Sequence, residues 1–199
     1  MFDPKSSLKQ GCKLVTFKDV CELINGKAFK PSDWSKNGIP IVRIQNLKDI
    51  NAEYNFYNGP IEEKYRLKNN DLVFAWSGTP GSSFGAYIWK GQEAVLNQHI
   101  FNVHPKENIN KTFLECTFNG LLKEIISKSH GGAGLKHITK PELEKILLVL
   151  PTMEIQKAFV SIVELIDKQK FNYINKIKLL NEIINIFLGG KKIWTKKYQ

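Results

Sequence analysis

The sequence predicts a mixed α/β, strand-rich domain followed by a long C-terminal coiled-coil helix. Three observations carry this. A heptad seam runs without a proline from Thr152 to Phe187. Short β-branched and aromatic runs broken by Gly, Pro and Asn fill the middle of the chain. Helical periodicity elsewhere is confined to short segments near residues 113–126 and 139–145. The expected division is residues 1–150 for the domain and 151–199 for the helix and its basic tail.

In chain order, residues 1–12 read as a loose leader, with no secretory signal at the start. Leu14 to Phe17 is a candidate strand and Asp19 to Ile24 a candidate helical turn, closed by Asn25-Gly26. Lys27 to Gly38 reads as a basic loop. Ile39 to Ile44 is a strand, after which Gln45 and Asn46 are expected as exposed amides. A further strand is expected around Tyr54 to Tyr57, and one helical turn at Ile61 to Tyr65. Asp71 to Trp76 and Phe84 to Trp89 form a hairpin around the long tip Ser77 to Ser83. Ala94 to Leu96 and Ile100 to Val103 flank Asn97-Gln98-His99, where His99 is read as a structural histidine. Phe113 to Ile126 is helical until Gly131 to Gly134 breaks it. Thr139 caps a short helix with Pro141 near its start. Ile146 to Leu150 reads as a buried strand stopped by Pro151.

The terminal helix is defined by Phe159, Val163, Ile166, Tyr173, Ile177, Leu180, Ile184 and Phe187, at alternating steps of four and three with Lys170 in the one polar slot. Thr152 and Glu154 suit its start and Gly189-Gly190 its end. Such a helix is roughly 54 Å long, whereas a compact domain of this size is roughly 38 Å across. The expected rod therefore overhangs its own domain, and an overhanging apolar seam calls for a partner helix. A helix folded back on the domain is the alternative.

The 199-residue chain carries a net charge of +10, which favours an anionic partner, nucleic acid above all. A Lys-rich background composition would give the same sign. Cys12, Cys21 and Cys116, an odd set without CxxC spacing, fit reduced cytoplasmic thiols better than a disulfide framework or a zinc site. No apolar run is long enough to span a membrane. His99, His104, His130 and His137 are not at metal-ligand spacings, and Gly131 to Gly134 follows a helix rather than a strand, unlike a dinucleotide fingerprint.

The polar loops are better suited to duplex DNA. Lys27, Lys30 and Lys36 offer phosphate contacts. Arg43, Gln45 and Asn46 are residue types that read guanine and adenine edges. Ser77 and Thr79 lie at the hairpin tip, and Lys136 and His137 follow a glycine loop whose amides suit a phosphate. Two other readings stay open: a metal-dependent endonuclease using Asp49, Glu62 and Lys64, and a basic scaffold that binds DNA without sequence preference.

Ordered motifs sharpen this. Gly131-Gly132-Ala133-Gly134-Leu135-Lys136-His137-Ile138-Thr139, Leu143-Glu144-Lys145-Ile146, then Leu150-Pro151-Thr152-Met153-Glu154-Ile155-Gln156 and Ile166-Asp167 resemble the end of a target-recognition domain and the start of its long helix in the specificity subunits of type I restriction–modification systems. Phe17-Lys18-Asp19-Val20 with Ile24-Asn25-Gly26, Gly38 to Ile44, Asn70 to Phe74 with Gly78, and Leu96 to Ile100 resemble earlier parts of that domain. The resemblance spans about residues 14–180 and implies a non-catalytic chain that binds one half of a bipartite site on double-stranded DNA. It further implies a methyltransferase subunit as partner, restriction subunits that join the complex, and an antiparallel helix pair between two recognition domains. S-adenosylmethionine, ATP and magnesium then belong to the partner subunits, and no cofactor to this chain. With one recognition domain in this sequence, the seam is expected to be completed by a second copy, as a homodimer, or by another half-subunit. Met1-Phe2-Asp3-Pro4 resembles the junction before a second recognition domain, which suggests a split or truncated gene, and the tail Gly189 to Gln199 is short and basic.

Overall fold

The computed structural model describes residues 11–132 and 134–187. The leader expected over residues 1–12 and the Gly189 to Gln199 tail lie almost wholly outside these residues. The chain divides between Lys157 and Ala158 into two compact units.

In the first unit, β1 (Lys13–Thr16) runs into a single turn of helix, α1 (Phe17–Val20), and β2 (Cys21–Asn25). The helical turn thus comes earlier than Asp19–Ile24. Asp19 Oδ2 accepts from both the backbone and the hydroxyl of Thr16, at 2.8 and 2.7 Å, which nucleates the turn at Phe17. From Cys21 onward the alternation takes over: Cys21 and Leu23 face inward, Glu22 outward, and the segment pairs with a strand 80 residues on. Tertiary pairing overrides the local helical preference.

The following elements are a 3-10 turn at Pro31–Asp33, β3 (Ile39–Val42), α2 (Ile44–Lys48), β4 (Asn55–Tyr57), a second 3-10 turn at Glu63–Tyr65, and β5 (Arg66–Leu67). Then come β6 (Leu72–Ala75), β7 (Ser77–Gly78), β8 (Gly85–Ile88), β9 (Ala94–Leu96) and β10 (Ile100–Pro105). The helices α3 (Lys111–Gly120) and α4 (Leu122–Ser127), β11 (Lys136–His137), α5 (Lys140–Glu144) and β12 (Leu147–Leu150) complete the unit. The expected helix over 113–126 is broken at Leu121, whose φ of −94° and ψ of 6° leave the helical region. The cap of α5 is the one expected: Thr139 donates its amide and hydroxyl to Glu142 Oε2 at 3.0 and 2.6 Å.

The central sheet has the order β2-β10-β6-β8, all antiparallel. It contains the expected 71–89 hairpin, with Leu72 opposite Ile88 and Ala75 opposite Gly85. Both faces are covered. Leu72, Phe74, Phe101 and Val103 pack with Phe17, Leu114, Phe118 and Ile125 on the helical side, where Phe17 and Phe118 stack at 4.0 Å. Val73 and Ile100 pack on the other side with Val42, Leu67, Trp89 and Leu96. That second face is closed by the sheet β4-β3-β9-β5. Burial on both sides explains why β6 is apolar throughout rather than alternating. The strand expected to be buried over residues 146–150 is so on one face alone: among the described residues β12 pairs only with β1, so Leu148 is buried while Leu147 is half-exposed.

The second unit is the helix α6 (Met153–Phe187) from Ala158 onward. The whole of α6, 35 residues from Met153, has a length of roughly 52 Å. Along the expected seam Phe159, Ile166, Tyr173, Ile177, Leu180 and Ile184 are each at least 41% exposed. Val163 is intermediate, and the side chain of Phe187 is outside the described set. Ile162, Leu165, Phe171, Ile174, Leu179 and Ile183 are also exposed, so the apolar surface is wider than the seam. No helix among the described residues is long and apolar enough to cross a membrane.

The first turn of α6 belongs to the globular unit, and Gln156 is its anchor. This side chain is 1% exposed. Its Oε1 accepts from the Asn110 amide at 2.9 Å, and its Nε2 donates to the carbonyls of Asn108 and Pro151 at 3.3 and 3.0 Å. One amide thereby ties the α3 N-terminus to the turn that launches α6. Replacing Gln156 with Leu strands these three backbone groups and is expected to lower unfolding free energy by roughly 2–3 kcal/mol, read as a shifted urea midpoint. An unchanged midpoint would rule out the anchor.

Candidate nucleic-acid interface

Strands β3 and β9 pair in parallel, with Ile41 opposite Val95 and Val42 opposite Leu96. Parallel strands finish at the same end of a sheet. The segments that follow them, Arg43-Ile44-Gln45 and Asn97-Gln98-His99, therefore emerge side by side, stitched by the Asn97 amide to the Val42 carbonyl at 3.0 Å. The end of β2 joins them through a parallel bridge between Lys27 and Asn97. Gly26 is required there, because a Cβ would lie 2.2 Å from the Asn97 carbonyl oxygen.

Between these chain ends lies an open cleft of about 280 Å³, lined among others by Phe29, Trp34, Arg43, Gln45, Gln98 and His99. Lys27 holds its ammonium 5.8 Å from the centre of the Tyr57 ring, and Phe29 packs edge-on against the same ring. Lys30 and Lys36 are exposed on the neighbouring loop.

The expected site residues take three different positions. Arg43 and Gln45 are exposed. Among the described residues each side chain makes one hydrogen bond, Arg43 Nη1 to Asn55 Oδ1 at 3.4 Å and Gln45 Nε2 to the Glu53 carbonyl at 3.1 Å, which leaves donors on both and an acceptor on Gln45 open. Asn46 corrects the expectation of an exposed amide. It is 1% exposed. Its Oδ1 accepts from the Arg43 amide at 2.9 Å, and its Nδ2 donates to the carbonyls of Ala52 and Glu53 at 3.2 and 3.3 Å. Asn46 thus caps α2 and closes the loop behind it, which is also why the strand stops at Val42 rather than Ile44.

Ser77, Thr79, Lys136 and His137 come together. Strands β7 and β11 pair Gly78 with Lys136 and Ser77 with His137, and the Thr79 hydroxyl donates to the Gly134 carbonyl at 3.0 Å. The glycine loop is closed on itself by reciprocal backbone bonds between His130 and His137, at 2.8 and 2.9 Å. Lys48 Nζ reaches Ser82 Oγ at 2.8 Å, joining α2 to the hairpin tip.

His99 is exposed rather than structural; its ring lies 5.3 Å from Trp76. With Gln98, Trp34 and Phe29 it belongs to the cleft that sequence reading passed over. The available signal was three consecutive polar residues, Asn97-Gln98-His99, between two apolar strands.

For the endonuclease reading, Glu62 pairs with Lys64 at 2.7 Å and Asp49 Oδ1 accepts from the Asn51 amide at 2.9 Å. Among the described residues no group of three or more His, Cys, Asp or Glu is placed to hold a metal. The thiol of Cys21 is pushed up to about 12 by burial and is no nucleophile.

The type I restriction modification DNA specificity domain matches residues 9–185. The chain belongs to this family. It is 31% identical over 146 residues to the type I restriction enzyme EcoBI specificity subunit of Escherichia coli, covering 72% of this chain and 30% of that protein. It is 29% identical over 196 residues to the MjaVIII specificity subunit of Methanocaldococcus jannaschii, covering 90% and 46%. The chain therefore spans less than half the length of these curated relatives. Its fold is similar to the HsdS subunit from Thermoanaerobacter tengcongensis, with a TM-score of 0.62 at 18% identity, over 84% of this chain and 40% of that one. A chain from a structure of type I R-M complex assembly and conformational transition gives 0.65 at 17%, over 94% and 44%.

Two outcomes follow from the geometry of this specificity-domain chain. Asn46→Ala is expected to destabilise the fold by about 1–2 kcal/mol, whereas Gln45→Ala should leave the denaturation midpoint within about 0.5 kcal/mol of the parent; equal effects would contradict the placement of the two amides. The second concerns Glu142, whose carboxyl is held down to about 2 by the Thr139 hydroxyl first, then by His130, its Oε1 lying 2.6 Å from His130 Nε2. A carboxyl depressed on folding adds stability above its ordinary value of 4.5 and loses it as the pH falls toward 2. Glu142→Gln should flatten the acid limb of the denaturation midpoint in that window, and an unaltered limb would show the contacts to be inert.

Proposed function

We propose that this chain is the DNA-reading, non-catalytic component of a type I restriction–modification complex, each copy recognising one half of a bipartite site on double-stranded DNA. The observation that carries the reading is the family match across residues 9–185, joined to a polar cleft at the converging strand ends on a chain of net charge +10. In this reading Lys27, Lys30 and Lys36 contact phosphates, and Arg43 and Gln45 face the bases. Ser77, Thr79, Lys136 and His137 form a second contact segment. The buried Asn46 acts by fixing α2 beneath Arg43 and Gln45.

The helix supplies the spacing. Two copies pair antiparallel along Phe159, Val163, Ile166, Tyr173, Ile177, Leu180, Ile184 and Phe187. An apolar surface wider than that seam supports additional helical packing by the methyltransferase subunit. That subunit uses S-adenosylmethionine, and restriction subunits using ATP and magnesium join in the cytoplasm. This chain binds none of these cofactors.

Co-expression with the methyltransferase subunit, followed by mapping of methylated DNA, is the direct test. A palindromic bipartite motif is expected, since two identical copies read the two halves. A non-palindromic motif would replace the homodimer with a pair of different half-subunits. With an active methyltransferase, absence of any methylated motif would overturn the reading. So would binding that falls steeply with salt and shows no sequence preference, as the scaffold alternative requires.

A further inference from the structure

Which side chains read bases is a separate question from whether the chain reads DNA, and the backbone answers it more sharply than residue type does. A base-reading side chain must be exposed, must keep free hydrogen-bonding groups, and must stand on backbone that does not move. The segment 97–99 meets all three. Its backbone is held at three points: Asn97 donates to the Val42 carbonyl at 3.0 Å, Ile100 donates to the Asn97 carbonyl at 3.2 Å, and Trp76 donates its amide to the His99 carbonyl at 3.2 Å. The Trp76 indole N–H then donates to the Gln98 carbonyl at 3.1 Å, and its ring lies against His99. The Gln98 and His99 side chains are nevertheless exposed. Among the described residues the one hydrogen bond of the Gln98 side chain is a long 3.4 Å approach to His99 Nε2, so its side-chain Oε1 and an N–H remain open. Arg43 lines the same cleft, and among the described residues its guanidinium makes a single 3.4 Å contact, from Nη1, which leaves Nη2 open.

Resting on the DNA-recognition reading above, which already turns Arg43 and Gln45 to the bases, we infer that Gln98 is a further base-reading residue of the half-site and works with Arg43. Gln98 takes adenine through N6 and N7, and Arg43 takes guanine through O6 and N7, in the major groove. The chemistry is that of a carboxamide with one donor and one acceptor side by side, and of a planar guanidinium with parallel donors. Trp76 is a positioning residue: it fixes Gln98 through the backbone and touches no base. Gly26 has the same role from the other side, since any side chain there displaces Asn97.

The experiment is selection of double-stranded oligonucleotides from a randomised pool by the full chain together with its methyltransferase subunit. Parent, Gln98→Ala, Gln98→Glu and Arg43→Ala are compared, each checked for an unchanged melting temperature. The parent is expected to enrich one half-site containing an adenine and a guanine. Gln98→Ala should make the adenine position degenerate, with discrimination there falling about 10- to 100-fold while the other positions persist. Gln98→Glu should shift that position toward cytosine, whose N4 donates to a carboxylate. Arg43→Ala should release the guanine position alone. If the parent enriches a site and the folded variants enrich the identical site, this assignment falls while the DNA-recognition reading stands. If a folded variant captures no DNA at all, the assignment also falls, because loss of one base contact leaves the phosphate contacts intact. A parent that enriches nothing overturns both.

Discussion

The parallel pairing of β3 with β9 is the constraint on which the candidate interface depends. In an antiparallel pair the segment after one strand leaves from the opposite end to the segment after the other. Here Ile41 opposite Val95 and Val42 opposite Leu96 run the same way, so Arg43 and Gln98, 55 positions apart in sequence, leave from one edge. The pair is able to be parallel because the connection between them is long. It contains α2, β4, β5 and the whole β6–β8 hairpin. That same hairpin forms half of the central sheet, and Val73 on β6 packs beneath Val42 and Leu96. The strand that fills the core and the strands that present the cleft are therefore one packing problem.

Each layer then limits the next. Phe17 and Phe118 stacked on the helical side press on Phe74, and Val73 on the opposite face of β6 holds the second sheet. Burial on both faces leaves β6 no freedom of register, because a one-residue slip would exchange the two sets of side chains. Trp76, immediately after β6, inherits that rigidity. Its two hydrogen bonds to residues 98 and 99 carry it to the cleft. Gln156 does the corresponding work at the other end, where three bonds to backbone hold the start of α6 to the α3 N-terminus.

What the sequence made legible were features with a local period or a local cap. The 71–89 hairpin, the Thr139 cap and the α6 run are of this kind. What it concealed were features decided by distant partners. Cys21 to Asn25 has a composition that suits helix or strand, and only β10 decides between them. Asn46 has the residue type of a base reader, but Arg43, Ala52 and Glu53 surround it with backbone groups that need its amide more. His99 reads as structural because it sits between apolar strands; yet the polar tripeptide is the turn between β9 and β10, which puts the ring outside. A polar residue type says what contacts are chemically available. Whether they face solvent or the chain itself is set by the turn in which the residue sits.

The excess positive charge is consistent with this division. Lysines on the 27–36 loop lie on long flexible stems and give attraction that any duplex satisfies. Discrimination between bases needs hydrogen-bonding groups arrayed in a fixed pattern: a donor beside an acceptor for adenine, as on Gln98, or parallel donors for guanine, as on Arg43. A planar carboxamide or guanidinium holds such a pattern, whereas a lysine ammonium is a point charge on a flexible stem. In the proposed reading the lysines supply affinity for an anionic partner, while sequence preference resides in the planar carboxamide and guanidinium groups at the converging strand ends.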